Sequence, residues 1–335
     1  MFIVETYTLA VLCCLITMLC WGSWANTQKL VQGKWRFELF YWDYVLGILL
    51  FSLIGAFTLG SNGEEGRPFL LDLEQAEGAN MRSAFTGGVV FNLANFLLTP
   101  AIAHAGMALA FPLGIGLALI IGVVLNYVLA SKGDPSLLFI GIVCIMCAII
   151  LNALAYRKHR GGDVNNRSIG KWIVVSVLAG ILMSTFYPFV AAGMDLTNFV
   201  TPAAGKMTPY TAFVVFAVGM LVSNILFNSI LMRKPLAGKP ITYRTYFQGG
   251  ARLHAVGLFG GGIWGLGNLF NLIAAEKAGP AISYGLGQGA TLVAALWGVV
   301  VWKEFQGANK TVKLYITCMF LLFIIGLGLV VLAGN

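Results

Sequence analysis

Apolar stretches of about 20 residues, the length a helix needs to cross the hydrocarbon core of a bilayer, recur throughout the chain. They lie at 7–29, 39–60, 83–104, 106–130, 137–156, 170–193, 209–232, 251–275, 279–302 and 312–333, with short polar segments between them. The pattern predicts an all-α integral membrane protein of ten transmembrane helices with no separate soluble domain. Composition agrees: 59% of the 335 residues are hydrophobic and 10% charged, and the mean hydropathy is +0.84. No Lys or Arg precedes the first span, which runs into WGSWANTQKL instead of a small-residue cleavage site. It therefore reads as a span and not as a cleaved signal peptide.

Polar positions inside the spans fall on particular faces. Trp264, Asn268 and Asn271 stand at i, i+4 and i+7 on one side of the eighth span, and Tyr284, Gln288 and Thr291 repeat that spacing on the ninth. A turn at Glu276, Lys277, Gly279 and Pro280 separates them. Amides are costly in hydrocarbon unless partnered, so these faces should point into protein or a water-filled cavity. Glycines such as Gly260, Gly261, Gly265 and Gly267 allow close helix approach, while GLGQG in the ninth span reads as packing glycine. Asn92, Asn95 and Thr99 share a face of the third span, and Pro112 should kink the fourth. Trp21, Trp24 and Gln28 share a face of the first; Trp21 fits an interfacial belt or a cavity wall, and Trp24 the wall. In the sixth, Tyr187 beside Pro188 reads as a binding position on a broken helix. Asn224 and Asn228, at i and i+4 in the seventh, read as helix ties. The candidate solute-binding residues are Trp24, Asn95, Tyr187, Trp264, Asn268, Asn271, Tyr284 and Gln288.

Gly87–Gly116 aligns without gaps on Gly260–Gly289. Gly87 and Gly88 meet Gly260 and Gly261, Asn95 meets Asn268, Gly106 meets Gly279, and Gly114 and Gly116 meet Gly287 and Gly289. The fifth and tenth spans are both apolar throughout. These matches predict a duplication, with residues 1–160 as a first five-helix repeat, 161–335 as a second, and the basic link 157–171 as the hyphen. An odd number of spans per repeat inverts the second relative to the first, the architecture of secondary transporters with a midplane site.

Charge follows the same plan. Sixteen of the 21 Lys and Arg residues fall in the loops 29–38, 157–171, 233–252 and 303–313. The other five are Arg67, Arg82, Lys132, Lys206 and Lys277, on the opposite side with both termini. The positive-inside rule then places the termini outside the cytoplasm, and the +8 net charge is not a nucleic-acid signal. The acidic 61–82 loop reads as a solvated external connection, Asp43 as an interfacial carboxylate capping a helix or paired with a base, and His104 as a surface residue. The cysteines lie within spans and read as packed free thiols, without a metal site. No Walker A, HExxH or GxSxG motif is present, and three scattered histidines do not make a membrane enzyme. A lining of amides, hydroxyls and aromatics without a buried acid suits a small neutral polar solute. No cofactor is expected, and oligomeric state is open.

Ten spans in two inverted repeats resemble the drug/metabolite transporter superfamily. Within it, the opening VETYTLAVLCCLITMLCWGSWANTQKLVQGKWRFELFYWDYVLG resembles the plant ureide permeases, as do GGVVFNLANF, MTPYTAF, GLGNLF and WGVVVWKEF. The resemblance implies a plasma-membrane importer, driven by a coupling proton, for allantoin, uracil and related oxo-heterocycles. The chain departs from the plant pattern in lacking a long central loop and in carrying Asn271 and Glu276. It is more loosely similar to the glucose/ribose uptake branch, which would make the solute a sugar. The competing classes are a non-transporting sensor or scaffold and an exporter of lipids or drugs. Glu5, Asp43, His104 and Glu276 are the titratable residues near the spans.

Overall fold

The computed structural model describes residues 1–105, 110, 112–160, 169–235 and 239–334. The turn expected at His104 and Gly106 and the middle of the basic link fall outside the described residues or, for His104, the described side chains. The helices are α1 (Tyr7–Ser23), α2 (Ala25–Leu30), α3 (Phe37–Phe57), α4 (Phe69–Gln75) and α5 (Gly78–Ala105). After a π-helical turn at Pro112–Gly116 come α6 (Leu117–Leu129), α7 (Pro135–Arg160), α8 (Ile169–Ala192) and α9 (Pro209–Arg233). Next are α10 (Tyr243–Phe247), α11 (Ala251–Ala278), α12 (Pro280–Gly287) and α13 (Ala290–Leu296); a second π-helical turn at Trp297–Val301 precedes α14 (Lys310–Leu332). The chain is all-α, with no strand among the described residues.

Nine described segments are long and apolar enough to cross a membrane. The third expected span lies in α5, which at 28 residues has the length to cross and carries Asn92, Asn95 and Thr99 within it; its last turns include side chains outside those described. Between membrane helices no hydrophobic drive operates, so close packing and hydrogen bonds hold the bundle. The packing follows a simple plan: α5 lies on α8 and α1 on α11; α3 lies on α11 and α5 on α9; α6 lies on α8 and the α12–α13 pair on α1. The pairs α3–α9, α6–α12 and α7–α14 also pack. A methyl group on Gly88 would stand 2.0 Å from the Phe216 carbonyl and one on Gly261 2.0 Å from the Tyr44 carbonyl. On Gly219 and Gly47 it would stand 2.2 Å from the carbonyls of Phe85 and Leu258. These four glycines bring backbone against backbone where α5 crosses α9 and where α11 crosses α3.

The two ends of the bundle differ in charge. At one end Arg36 donates to the Lys239 carbonyl (2.6 Å) and Lys29 pairs with Glu304 (2.8 Å), gathering three of the basic loops. At the other the Phe2 amide donates to the Leu59 carbonyl (2.7 Å) and the Asp134 amide to the Ala333 carbonyl (2.6 Å), so both termini sit there.

Three expectations change. The 61–82 connection is not simply solvated: it contains α4, and fully buried Asp72 binds Arg67 (2.9 Å), Gln75 (3.2 Å) and the Thr208 amide (2.8 Å). That carboxylate ties the connection to the start of α9. The sixth span is not broken at Pro188, which lies inside the continuous helix α8. The break occurs instead at GLGQG, where α12 ends at Gly287 and α13 begins at Ala290. Gln288 and Gly289 keep right-handed helical dihedrals there, but the ladder tightens to i→i+3 bonds, from the Gly289 amide to the Leu286 carbonyl (2.9 Å) and from the Leu292 amide to the Gly289 carbonyl (2.9 Å).

Candidate functional site

A cavity of about 680 Å³ runs between the two halves of the chain. Its deep end is aromatic. Trp264, Phe91 and Phe186 line it, and Trp264 is backed by Phe216 (centroids 6.0 Å apart) and offset-stacked with Trp21 (5.8 Å, planes within 9°). Phe91 touches Trp264 at 4.7 Å and Phe186 at 4.9 Å. Trp264 and Phe186 are buried, whereas Lys29, Gln32 and Gly33 at the other end are exposed, so the cavity opens at the basic end of the bundle.

Polar groups ring the middle. Asn95 and Thr99 project from α5, Trp24 and Gln28 from α1 and α2, and Gln288 and Thr291 from the α12–α13 break. Asn95 is oriented by its own helix, its amide donating to the Phe91 carbonyl at 3.0 Å. Trp24 leans on Tyr44 at 4.6 Å. At the mouth, Lys29 pairs with Glu304 and lies 4.9 Å over the Trp302 ring, and Arg36 pairs with Glu38 at 2.7 Å. Among the described residues no carboxylate lines the cavity, and the cations Lys29 and Arg36 at its rim are each ion-paired. The interior is thus neutral, with aromatic faces for a flat body and amide or hydroxyl groups for its hydrogen bonds.

Of the eight candidate residues, Trp24, Asn95, Trp264 and Gln288 line this cavity. The other four are buried behind it. The Tyr187 hydroxyl lies 3.0 Å from the Ser283 hydroxyl, the Asn271 amide donates to the Ser283 carbonyl at 2.7 Å, and the Tyr284 hydroxyl donates to the Ala118 carbonyl at 3.2 Å. These bonds fasten α12 to α8, α11 and α6. Asn268 is 2% exposed and its side-chain oxygen has no hydrogen-bond partner. The Asn271 oxygen and the Trp21 indole nitrogen are in the same condition. Trp21 is slotted between Gly267 and Gly287, methyl groups on which would come within 2.9 Å and 2.8 Å of its ring.

Sequence reasoning missed Phe91, Phe186 and Trp35 as cavity residues. Phe91 was detectable, since it stands four residues before Asn95 on the same helical face. Trp35 carries no such periodic signal, lying in a turn between spans. Glu276 proves to be a fastening: it accepts from the Phe199 amide (3.1 Å) and Lys277 (2.8 Å), while its carbonyl accepts from Lys132 (2.6 Å). Burial and the neighbouring Lys277 hold the Lys132 ammonium below the usual lysine range. Among the described residues no group of His, Cys, Asp and Glu is placed to hold a metal ion, and all six cysteines are free.

Comparison with known proteins identifies the family. The ureide permease family model matches residues 40–167 and 157–333, two segments that meet in the basic link. Ureide permease 2 of Arabidopsis thaliana is 25% identical over 97% of this chain and 96% of its own length. Ureide permease 1 of the same plant is 23% identical over 100% and 99%. A Streptococcus agalactiae protein whose name assigns it to sugar uptake is 22% identical over 89% of each chain. A crystal structure superposes with a TM-score of 0.62 at 14% identity, covering 97% of this chain and 96% of that one, which establishes a shared fold. With a family model spanning both halves, from the start of α3 to the end of α14, the chain is a multi-pass membrane protein of the ureide permease family.

Proposed function

We propose that the protein is a secondary active importer of a small neutral ureide or nucleobase-like solute, such as allantoin or uracil, working by alternating access with a coupled proton. The observation that carries this reading is the neutral, aromatic-floored cavity of about 680 Å³, within the range of about 300–1,000 Å³ usual for small-molecule sites, in a chain of the ureide permease family. Trp24 and Trp264 would stack on the heterocycle, and Asn95 and Gln288 would bind its amide edges. Asn268 and Asn271, with unpartnered oxygens, and Tyr187 and Tyr284 behind them would join the site when the halves rock.

Two inverted five-helix repeats, residues 1–160 and 161–335, supply the rocking elements. The packing plan supports this division: exchanging α1, α3, α5, α6 and α7 for α8, α9, α11, α12–α13 and α14 maps each of the helix pairs named above onto another or onto itself. The glycine crossings follow suit, Gly88 on Phe216 matching Gly261 on Tyr44, and Gly219 on Phe85 matching Gly47 on Leu258. By the positive-inside rule the basic end faces the cytoplasm, which makes this the inward-open state, with the Trp264–Phe91–Phe186 floor sealing the outside.

Thermal stabilisation of the purified protein by allantoin, uracil, xanthine, glucose, ribose and rhamnose tests the solute class, because a ligand bound by the folded state alone raises the melting point. A rise with allantoin or uracil is expected. The streptococcal relative is the reason for the sugars: a rise with these alone would replace the ureide by a pyranose on the same indole faces. No rise with any of the six would contradict the reading.

A further inference from the structure

At the cavity mouth lies a buried carboxylate that solute binding does not use. Asp43, 1% exposed in the second turn of α3, accepts three hydrogen bonds from three directions. The Trp35 indole donates to Oδ2 at 3.1 Å; the Tyr246 hydroxyl and His254 Nδ1 donate to Oδ1 at 2.6 and 2.8 Å. The partners come from the turn before α3, from α10 and from the first turn of α11. The approach is built: a methyl group on Gly257 would stand 2.4 Å from Asp43 Cβ, and one on Gly249 would strike both Trp35 (2.5 Å) and His254 (2.7 Å). Trp35 is clasped between His254 (5.1 Å, edge-on) and Tyr246 (6.2 Å), and it is itself a wall of the cavity.

The charges around this cluster are accounted for. Arg36 and Glu38 bind each other, Arg36 also donates to the Lys239 carbonyl, and Arg233, Arg244 and Arg252 on the neighbouring helices are exposed. Burial and the Asp43 carboxylate push the Tyr246 phenol far up, so it remains a neutral donor. That leaves His254 to supply the compensating charge. Its side chain is 23% exposed, which gives a proton a route from water at the basic end.

We propose that the His254–Asp43 pair is a proton-binding site that latches the mouth of the cavity through Trp35. With His254 protonated, the buried carboxylate is balanced and holds Trp35, α10 and α11 against α3. When the proton leaves, the carboxylate stays buried without a counter-charge, a costly state. Water enters to solvate it and the indole is released. The proton leaves to bulk water from the imidazole ring and no other covalent bond changes. The latch acts on the cavity assigned above to the solute, but its proton is independent of what that solute is.

The test needs no solute, so failure of the transport reading would not be confused with failure of the latch. The full-length protein is labelled with 5-fluorotryptophan, which gives eight ¹⁹F resonances for its eight tryptophans, and Trp35 is assigned with Trp35→Phe. The Trp35 resonance should shift through a single titration as the pH is raised. Its broadening by a soluble gadolinium chelate should rise as the proton is lost. Both responses should vanish in Asp43→Asn and in His254→Gln, while the other seven resonances, held at their wild-type positions, report an intact fold. A Trp35 resonance that is flat with pH in the wild type would overturn the latch, as would a titration that survives His254→Gln or a shift with no change in broadening. Should one variant not fold, the other supplies the comparison, and the wild-type titration decides by itself.

Discussion

At the scale of single residues, the informative groups are polar atoms inside the bundle, because each must be partnered, hydrated or held for a ligand. Asn268 and Asn271 share a helical face but differ in this respect. Both side-chain oxygens lack a partner, but the Asn271 amide is bonded to the Ser283 carbonyl at 2.7 Å. Asn271→Ala would remove a buried bond to a carbonyl inside α12, at a cost of about 0.5–1.5 kcal/mol, and should lower the melting temperature measurably. Asn268→Ala removes an atom with no bond to lose, so melting and expression should stay near wild type while uptake is abolished; a loss of folded protein would make Asn268 structural. Periodicity identified the face carrying both residues. It could not tell them apart, because that depends on where Ser283 falls across the turn at Gly279, a tertiary fact. The same limit explains Tyr187 and Tyr284, whose aromatic-polar character suits a binding wall and a helix fastening equally well. Trp35 was illegible for a different reason: its role follows from three partners far apart in sequence.

At the scale of elements, composition and periodicity placed the helices well and the irregularities poorly. Pro188 is tolerated within α8, whereas GLGQG, whose Gly287 and Gly289 do pack closely on Trp21 and Met18, is also an interruption, carrying Gln288 to the cavity. Proline removes one hydrogen bond and neighbouring helices can absorb that loss; a glycine-rich pentapeptide lacks the side-chain packing that keeps a helix regular. Where glycines do pack, the structure says which ones matter. Gly261→Ala and Gly88→Ala each drive a methyl group to 2.0 Å from a carbonyl on the facing helix. Each should destabilise by about 1–3 kcal/mol, the usual cost of overpacking. Gly262, with open space beside it, should accept alanine without loss, and may be compared directly with Gly261 in thermal melts of the three variants. Equal melting of Gly261→Ala and Gly262→Ala would contradict the close crossing of α11 on α3.

At the scale of the whole molecule, the segregation of Lys and Arg into alternate loops was readable from sequence, and the fold gathers three of those loops at one end and both termini at the other. The cavity opens at the basic end, beneath ion-paired Lys29 and Arg36 and beside the Asp43–His254 pair. Its want of a buried acid was readable too, but its volume was not, because that arises from side chains on helices of both halves. Under the proposed function, one crossing geometry used twice would give two bundles that rock about a shared site. The central claim is that this site moves a neutral ureide across a membrane. Its most direct test is uptake of radiolabelled allantoin by proteoliposomes containing the purified protein, with and without an inward proton gradient. The account predicts accumulation above the external concentration that collapses when a protonophore is added. Uptake no greater than that of protein-free vesicles, under either condition, would contradict it.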